Sequence, residues 1–408
     1  CLLLGWLAKR ITGKETVGLM VAVIAIFTPW LFDVSRLVME TFFYPMALVL
    51  FLLALHTAQK KESWPWLNVL WLATTLMLLT YSYTIGRLLG PLLAGGLILF
   101  ATSQPRIISI VKTWAVFAFT LIPLLIFRTR NPEALTQRFY LISYIKPDTP
   151  WSEIIPKFFH RYLEDLSLIS LLFDGDGNPR HHVYKSMGAF LIGAFVVVVI
   201  GIVMIGVRYW QEPFWRFVLF GAAASIVPGA LTADQFHSLR IVGYPIFLLT
   251  LMIPAIAMFL GDRNSEAASR TGASPRHRSL WPRRVIGALL LIGMAAQAIY
   301  FQSVFRREGP NRGVFFDAPY KDVYDAAVAL SVRPIFLVDG NQPSYEHALW
   351  YATVEGRDRD MFIHLEEGVV PPAGAIVISS EEQCFNCIMI KKSGGYLLYR
   401  VPPEYLRQ

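Results

Sequence analysis

The sequence predicts a mainly α-helical integral membrane protein, in which a polytopic bundle of transmembrane helices is followed by a small C-terminal α/β domain. Of the 408 residues, 55% are hydrophobic and only 16% are charged. Apolar runs close to the ~20 residues that span a bilayer as a helix recur through residues 1–303. Residues 304–408 instead alternate short apolar segments with polar turns, as a small soluble domain does.

Nine apolar segments are predicted to cross the membrane, and Cys1–Ala8 is predicted to be the end of a further helix. The nine are Thr16–Phe32, Phe42–Leu55, Trp66–Thr80, Leu88–Phe100, Trp114–Phe127, Met187–Val207, Phe214–Leu231, Ile241–Leu260 and Val285–Phe301. The chain begins with Cys and within a predicted helix, so we expect further sequence to precede it.

The distribution of Lys and Arg predicts which loops face the cytoplasm. When the connections between helices are numbered in order, the odd-numbered short ones contain fifteen Lys and Arg residues and the even-numbered short ones contain three. Because positive charge marks cytoplasmic loops, the odd connections should be cytoplasmic. The opposite side would then carry five segments: Asp33–Glu40, Ser82–Arg87, Arg128–Lys185, Thr232–Arg240 and the chain after Ser303.

Three arginines on the non-cytoplasmic side, Arg36, Arg87 and Arg240, each stand at the end of a predicted helix. One interpretation is that their side chains extend to lipid headgroups. The other is a basic pocket for a phosphate or pyrophosphate group, because a guanidinium matches the geometry of phosphate oxygens. The basic residues form loop clusters rather than a groove-sized patch, so nucleic acid is a poor partner despite the net charge of +8.

The long loop of residues 128–185 contains the amphipathic stretch Trp151–Phe173, whose apolar residues recur at helical spacing. This pattern predicts one or two helices, which either lie in the membrane interface or pack on the bundle. Residues 261–284 are rich in Ser, Arg, Ala and Gly and have no apolar period, which predicts a flexible cytoplasmic linker.

The C-terminal domain, residues 304–408, shows three strand patterns and one helix pattern. The strands are predicted near Pro334–Val338, Ala375–Ser379 and Tyr396–Val401, and the helix near Ser344–Val354.

Cys384 and Cys387 form a Cys-x-x-Cys pair within this domain. On the oxidising, non-cytoplasmic side a disulfide is the favoured interpretation. A zinc site would need two further ligands at the usual spacing, which the neighbouring sequence does not offer.

Two polar groups near predicted helix ends allow a structural and a functional interpretation. The first group lies in Asp33–Glu40. A helix cap and an ion pair between Arg36 and Glu40 would explain it structurally, and ligand binding is the functional alternative. In the second, Asp234, His237 and Arg240 would share one stripe if the segment were helical. In the structural interpretation, the three side chains hydrogen-bond to one another in a chain. In the functional interpretation, the same chain orients His237 or Arg240 toward a bound anion.

The densest polar stretch is Asp174–His182, which directly precedes an apolar run. It begins like a calcium-binding loop, but Pro179 stands where such loops need Gly and Lys185 stands where they need Glu. A Gly-rich turn capped by its own Asp and Asn side chains is the structural alternative. That alternative does not explain an Arg and two His residues beside the membrane, where unpaired polar groups are costly.

Taken in order, these segments resemble the GT-C superfamily of integral-membrane glycosyltransferases, in particular its protein-mannosyltransferase and aminoarabinose-transferase-like branch. The resemblance covers nearly the whole chain, and the Gly-Asp-Gly-Asn-Pro-Arg-His run is its most specific part. The segments that carry it are Phe32–Arg36, Tyr81–Pro91, Asn131–Arg138 with Ser143, Gly175–His181 and Asp234–Arg240. The C-terminal α/β domain also fits the family.

The resemblance implies inverting transfer of a sugar from a polyprenyl-phosphate-linked donor to a lipid, glycan or protein acceptor on the non-cytoplasmic face. Residues implied to bind the donor phosphate are Arg36, Arg87, Arg138, His237 and Arg240. Residues implied to bind the sugar or the acceptor are Glu40, Tyr83, Asp176, Arg180, His181 and Asp234.

The chain departs from the family pattern at two points. Family members often continue the Gly175–His181 run with a Pro-Gly turn, where this chain continues with His182. The acidic residue taken as the catalytic base of such enzymes belongs to an outward loop that would precede Cys1, so we expect the base outside this chain.

A transporter or flippase for an anionic lipid-linked sugar would need the same basic pocket, and a non-catalytic lipid-sensing scaffold is a third class of function. The ionisable residues gather at one face, which favours the enzyme, because transporters place polar groups near the midplane.

The expected partners are the polyprenyl-phosphate sugar and the bilayer. The sequence specifies no cofactor, although a divalent metal is compatible with this chemistry. The expected location is a bacterial or archaeal plasma membrane with the active face outward.

Overall fold

The computed structural model describes residues 1–37, 40–132, 134–183, 187–261, 281–339, 344–366, 369–380 and 387–402, without the side chains of Glu40 and Val314. The chain divides into two compact units, Cys1–Arg306 and Arg307–Gln408. The predicted linker of residues 261–284 lies mostly outside the described residues.

The first unit is built from α-helices. In chain order they are α1 Leu2–Thr12, α2 Glu15–Phe27, α3 Pro29–Val34, α4 Phe43–Ala58, α5 Trp66–Ser82, α6 Gly86–Gly96, α7 Gln104–Thr120, α8 Ile122–Arg130, α9 Gln137–Ile142, α10 Trp151–Asp165, α11 Ile192–Met204, α12 Pro213–Ala224, α13 Val227–Ala230, α14 Tyr244–Leu251, α15 Ile253–Phe259 and α16 Trp281–Glu308. Short 3₁₀ segments occur at Glu40–Phe42 and Leu97–Phe100, and π-helical turns at Ser170–Asp174 and Ile205–Tyr209.

Several of these helices have the length and composition of membrane spans. Within the described residues, four are long and apolar enough to cross a bilayer: Gln104–Arg130, Ile192–Tyr209, Pro213–Ala230 and Trp281–Glu308. Shorter apolar helices cover Glu15–Phe27, Phe43–Ala58, Trp66–Ser82, Gly86–Phe100 and Tyr244–Phe259. Each of the nine predicted apolar segments overlaps one of these stretches, so the mainly helical prediction is confirmed.

Helices α1 and α2 pack against each other through glycines. A Cβ at Gly5 would lie 2.6 Å from the Gly18 carbonyl oxygen, and a Cβ at Gly18 would lie 2.6 Å from the Gly5 carbonyl oxygen. Neither position can hold a larger residue unless the two backbones separate. Small residues at such contacts are typical of helices that pack within a membrane, where close backbone approach drives association.

Prolines divide two of the predicted helices. The predicted Thr16–Phe32 helix stops before Pro29, which has no N–H to continue it and begins α3 instead. The predicted Ile241–Leu260 helix is divided before Pro254 into α14 and α15. In both places the apolar run continues across the break, so hydropathy alone does not reveal it.

The amphipathic stretch of the long loop forms α10 and packs on the helical unit. The Tyr162 hydroxyl donates a hydrogen bond to the Ala223 carbonyl at 3.0 Å. Large apolar side chains elsewhere on α10, among them Trp151 and Phe159, are exposed. The helix therefore contacts its neighbours on one side, while its position in the membrane interface stays a prediction.

The second unit contains a five-stranded mixed sheet in the order β2-β1-β3-β5-β4. Its strands are β1 Ile335–Val338, β2 Phe362–Leu365, β3 Ile376–Ser379, β4 Ile388–Ser393 and β5 Tyr396–Arg400. Strand β1 pairs in parallel with β2 and β3, whereas β5 pairs antiparallel with β3 and β4. Helices α17 Tyr320–Ala329 and α18 Ser344–Val354 share one buried cluster with side chains from the strands.

The predicted strands correspond to β1, β3 and β5, and the predicted helix to α18. Strands β2 and β4 were not predicted, and they are the two edges of the sheet. Strand β4 is largely exposed and reads Ile-Met-Ile-Lys-Lys-Ser, without a clear alternation of apolar and polar residues. An edge strand with this composition lacks the buried apolar run by which a central strand is recognised.

Candidate functional site

Three polar segments that are distant in sequence meet in the first unit: α3, the turn Asp174–His182 and the segment Thr232–Arg240. Trp30 of α3 connects two of them, because its indole Nε1 donates to the Ser238 carbonyl at 3.0 Å. The three segments therefore form one cluster, in which most polar side chains are buried.

Gly175 gives the Asp174–His182 turn its shape. The residue adopts φ +74°, a left-handed conformation that side chains disfavour. A Cβ there would also lie 2.1 Å from Cδ2 of His182. Gly175 thus lets the His182 ring pack directly on the backbone of the turn.

Asp176 is the centre of the cluster's hydrogen bonds. Its Oδ2 accepts from the Ser238 N–H at 2.8 Å and the Ser238 hydroxyl at 2.7 Å, and it lies 3.0 Å from Nδ1 of His181. Its Oδ1 accepts the Asn178 N–H at 2.8 Å. Burial alone would raise the pKa of Asp176, but these hydrogen bonds outweigh burial and lower the pKa to about 2. Asp176 is therefore a buried carboxylate.

His182 joins the same turn to α3. Its Nδ1 lies 2.7 Å from Oδ2 of Asp33, and its Nε2 lies 2.6 Å from the Met187 carbonyl oxygen. Both neighbours accept hydrogen bonds, so the ring satisfies both only as an imidazolium. Burial opposes the charged ring, but the Asp33 carboxylate outweighs it and raises the pKa of His182.

His237 lies against His181, with ring centroids 4.5 Å apart. Its Nδ1 is buried and has no hydrogen-bond partner among the described residues. Burial, reinforced by the positive charge of Arg240, lowers the pKa of His237 to about 4, so its ring is neutral at pH 7. One ligand atom from each of Asp176, His181 and His237 lies within 4.8 Å of the other two.

Arg240 is a buried cation with one exposed partner. Its Nη1 donates to the Thr232 hydroxyl at 2.7 Å, and its Nη2 lies 2.7 Å from Oδ2 of Asp234. The Asp234 side chain is 59% exposed, whereas that of Arg240 is 8% exposed. Water thus reaches the anion of this pair and not the cation.

The segment that carries His237 is not helical, so the expected helical stripe of Asp234, His237 and Arg240 is not formed. Phe236 adopts φ +40°, which interrupts any helix there, and its N–H donates to Oδ1 of Asp165 at 2.9 Å. The bend separates the three side chains: Asp234 and Arg240 pair with each other, and His237 turns to His181.

The remaining predicted site residues are less buried. Arg36, Arg87 and Arg138 are exposed, and the guanidinium of Arg36 lies 4.7 Å from the Phe32 ring centroid. Tyr83 and Arg180 are half-buried. The Glu40 side chain lies outside the described part of the chain.

Four residues of the cluster were not assigned a role from the sequence: Asp33, Asp165, His182 and Ser238. The carboxyl of Asp165 is 2% exposed, and burial raises its pKa to about 7. Each of the four lies inside or beside a segment that the sequence analysis singled out. Only the contacts between segments, which no local pattern encodes, distinguish them from surface polar residues.

In the second unit, Cys387 is disulfide-bonded, and Cys1 of the first unit is a free, exposed thiol. The predicted partner Cys384 lies outside the described residues. No protein-family model matches the chain, and no curated protein matches it at a significant level.

Proposed function

We propose that this chain is a polytopic membrane protein of the GT-C type that transfers a sugar from a polyprenyl-phosphate-linked donor to a lipid, glycan or protein acceptor on the non-cytoplasmic face. Its C-terminal α/β domain would lie on that same face. One observation carries the proposal: segments chosen from the sequence for their resemblance to this family are joined by hydrogen bonds in space. Asp33 binds His182, and Asp176 binds Ser238.

The charges of the cluster suit a phosphate-bearing donor. Arg240 is buried, and its carboxylate partner Asp234 is exposed. A phosphate can take the place of Asp234 at the guanidinium, because the displaced carboxylate moves into water at little cost. The guanidinium would then stabilise the charge that develops on the leaving phosphate, a role worth about 10²–10³ in rate for a single well-placed donor.

Arg36, Arg87 and Arg138 remain proposed as further phosphate ligands, and their exposure leaves them accessible to a lipid headgroup. Asp176 and His181 would face the sugar or the acceptor. A carboxylate acting as general base would deprotonate the acceptor hydroxyl, a contribution of about 10²–10⁴ in rate. That hydroxyl would attack the anomeric carbon and release the polyprenyl phosphate.

A transporter or flippase of an anionic lipid-linked sugar is the alternative. Transporters bind their substrate near the bilayer midplane, often where helices are broken. The polar cluster here is built mainly from loops, namely Asp174–His182 and Thr232–Arg240, with α3 between two helices. This arrangement favours chemistry at one membrane surface over passage through the bundle.

The test is sugar transfer from synthetic polyprenyl-phosphate sugars by the complete protein in proteoliposomes. Arg240→Ala should lower the transfer rate by about 10²–10³. Arg130→Ala is the matched control, because Arg130 is an exposed arginine at the end of α8 outside the cluster. Transfer within twofold of the wild type in Arg240→Ala would reject the phosphate role, and lipid translocation without transfer would favour the transporter.

A further inference from the structure

We propose that Asp176, His181 and His237 form a binding site for a divalent transition-metal ion of the zinc class. The inference does not depend on the proposed glycosyl transfer. It rests on three ligating side chains that two separate loops bring together, with one ligand atom of each within 4.8 Å of the other two.

The spacing of the ligand atoms is close to that of an assembled site. Bonds of about 2.0–2.1 Å in tetrahedral geometry place ligand atoms roughly 3.4 Å apart. Metal binding would draw these atoms closer together, and His181 and His237 already lie with ring centroids 4.5 Å apart.

The contact between Asp176 and His181 already has the spacing of two metal ligands. Oδ2 of Asp176 lies 3.0 Å from Nδ1 of His181, close to the roughly 3.4 Å between neighbouring ligands of a tetrahedral site. A metal would bind between these two atoms in place of the shared proton, which Nε2 carries in the other tautomer of the ring. Oδ2 would keep its hydrogen bonds from the Ser238 N–H and hydroxyl.

His237 supplies the second imidazole. A buried ring nitrogen without a hydrogen-bond partner destabilises the folded state, and a metal bond would remove that cost. Nδ1 of His237 is such a nitrogen among the described residues.

The donor set selects the class of metal. Two imidazole nitrogens and one carboxylate suit zinc and its neighbours, whereas magnesium and calcium prefer oxygen ligands alone. Three protein ligands leave a fourth position open, as in catalytic rather than structural zinc sites. That position would accept water or an oxygen of an anionic ligand, such as the phosphate that Arg240 is suited to bind.

Cobalt binding to the intact protein tests the proposal. The protein is purified with a tag that contains no histidine, stripped with a chelator and titrated with Co²⁺. We expect one Co²⁺ per chain with the visible absorption of a four-coordinate ion. His181→Ala and His237→Ala should each weaken binding more than about 100-fold, because even outer-shell partners of a metal are worth about 10–100-fold.

His160→Ala is the control, because His160 lies on α10 with a 72% exposed side chain and should leave cobalt binding unchanged. A wild-type protein that binds no stoichiometric cobalt would overturn the site, as would unchanged affinity in both variants. If the variants do not fold, X-ray absorption of the zinc-loaded wild type decides. Scattering from two imidazoles around the zinc would support the site. Its absence would overturn the site, because the zinc would then not be bound by His181 and His237.

Discussion

Replacing Asp33 tests whether His182 is held as an imidazolium. The ring lies between two acceptors, Oδ2 of Asp33 at 2.7 Å and the Met187 carbonyl at 2.6 Å. His182 is 1% exposed and Asp33 is 3% exposed, so water does not balance the charge of either. The free energy of unfolding should therefore depend on what replaces the carboxylate.

Two substitutions of Asp33 distinguish the loss of its charge from the loss of its hydrogen bond to His182. In Asp33→Asn, a neutral His182 can donate Nε2–H to the Met187 carbonyl and accept a hydrogen bond at Nδ1 from the amide N–H. The loss is then the difference between a charged hydrogen bond, about 1.5–3 kcal/mol, and a neutral one, about 0.5–1.5 kcal/mol, or about 1–1.5 kcal/mol. Asp33→Ala removes the partner, and the loss should be about 3 kcal/mol, the lower end for breaking a buried pair, because the imidazolium can release its proton.

The free energy of unfolding can be measured by titration of the micelle-embedded protein with sodium dodecyl sulfate at constant pH, followed by circular dichroism. Glu153→Gln is the control, because the Glu153–Lys157 pair is exposed and such pairs contribute about 0–1 kcal/mol. Losses below about 0.5 kcal/mol in both Asp33 variants would refute the imidazolium, since a charged buried hydrogen bond is worth more than that.

Two further predictions use the same unfolding measurement. Gly175→Ala should cost at least about 2 kcal/mol, because a left-handed backbone costs roughly 1–2 kcal/mol in a residue with a Cβ, and that Cβ would lie 2.1 Å from the His182 ring. Gly177→Ala, which meets no atom within 4 Å, should cost far less, and equal losses would contradict the argument. Burial raises the pKa of Asp165 from an ordinary 3.8 to about 7, so between these values the folded state holds a proton that the unfolded state has lost, and stability falls as pH rises. Asp165→Asn keeps an acceptor for the Phe236 N–H and should flatten this slope, whereas an unchanged slope would show that Asp165 does not titrate there.

The helices could be predicted from the sequence because each apolar run continues for three turns or more. Their breaks were missed, because the apolar runs continue across Pro29 and Pro254 and hydropathy does not register the prolines that end the helices. In the second unit the central strands were found and the edges missed for a related reason. Burial on both faces leaves a continuous apolar signal, and an exposed edge such as β4 leaves none.

The polar segments of the site could also be found from the sequence, but their pairing could not. Asp33 and His182 are 149 residues apart, and Asp176 and Ser238 are 62 apart. Loop positions of this kind depend on how the helices between them pack. The assumption of helical geometry for Asp234–Arg240 failed because the left-handed conformation of Phe236 has no signature in an aromatic residue.

The interactions already made within the cluster indicate where a ligand gains binding free energy. Asp33 and Asp176 each accept buried hydrogen bonds, so an organic ligand that displaced those bonds would gain little. His237 and Arg240 differ, because His237 has a buried nitrogen without a described partner and Arg240 pairs with an exposed carboxylate. Both belong to the segment Thr232–Arg240. For an organic ligand, the Asp174–His182 turn therefore holds the site in shape, and the neighbouring segment offers the contacts that such a ligand can improve.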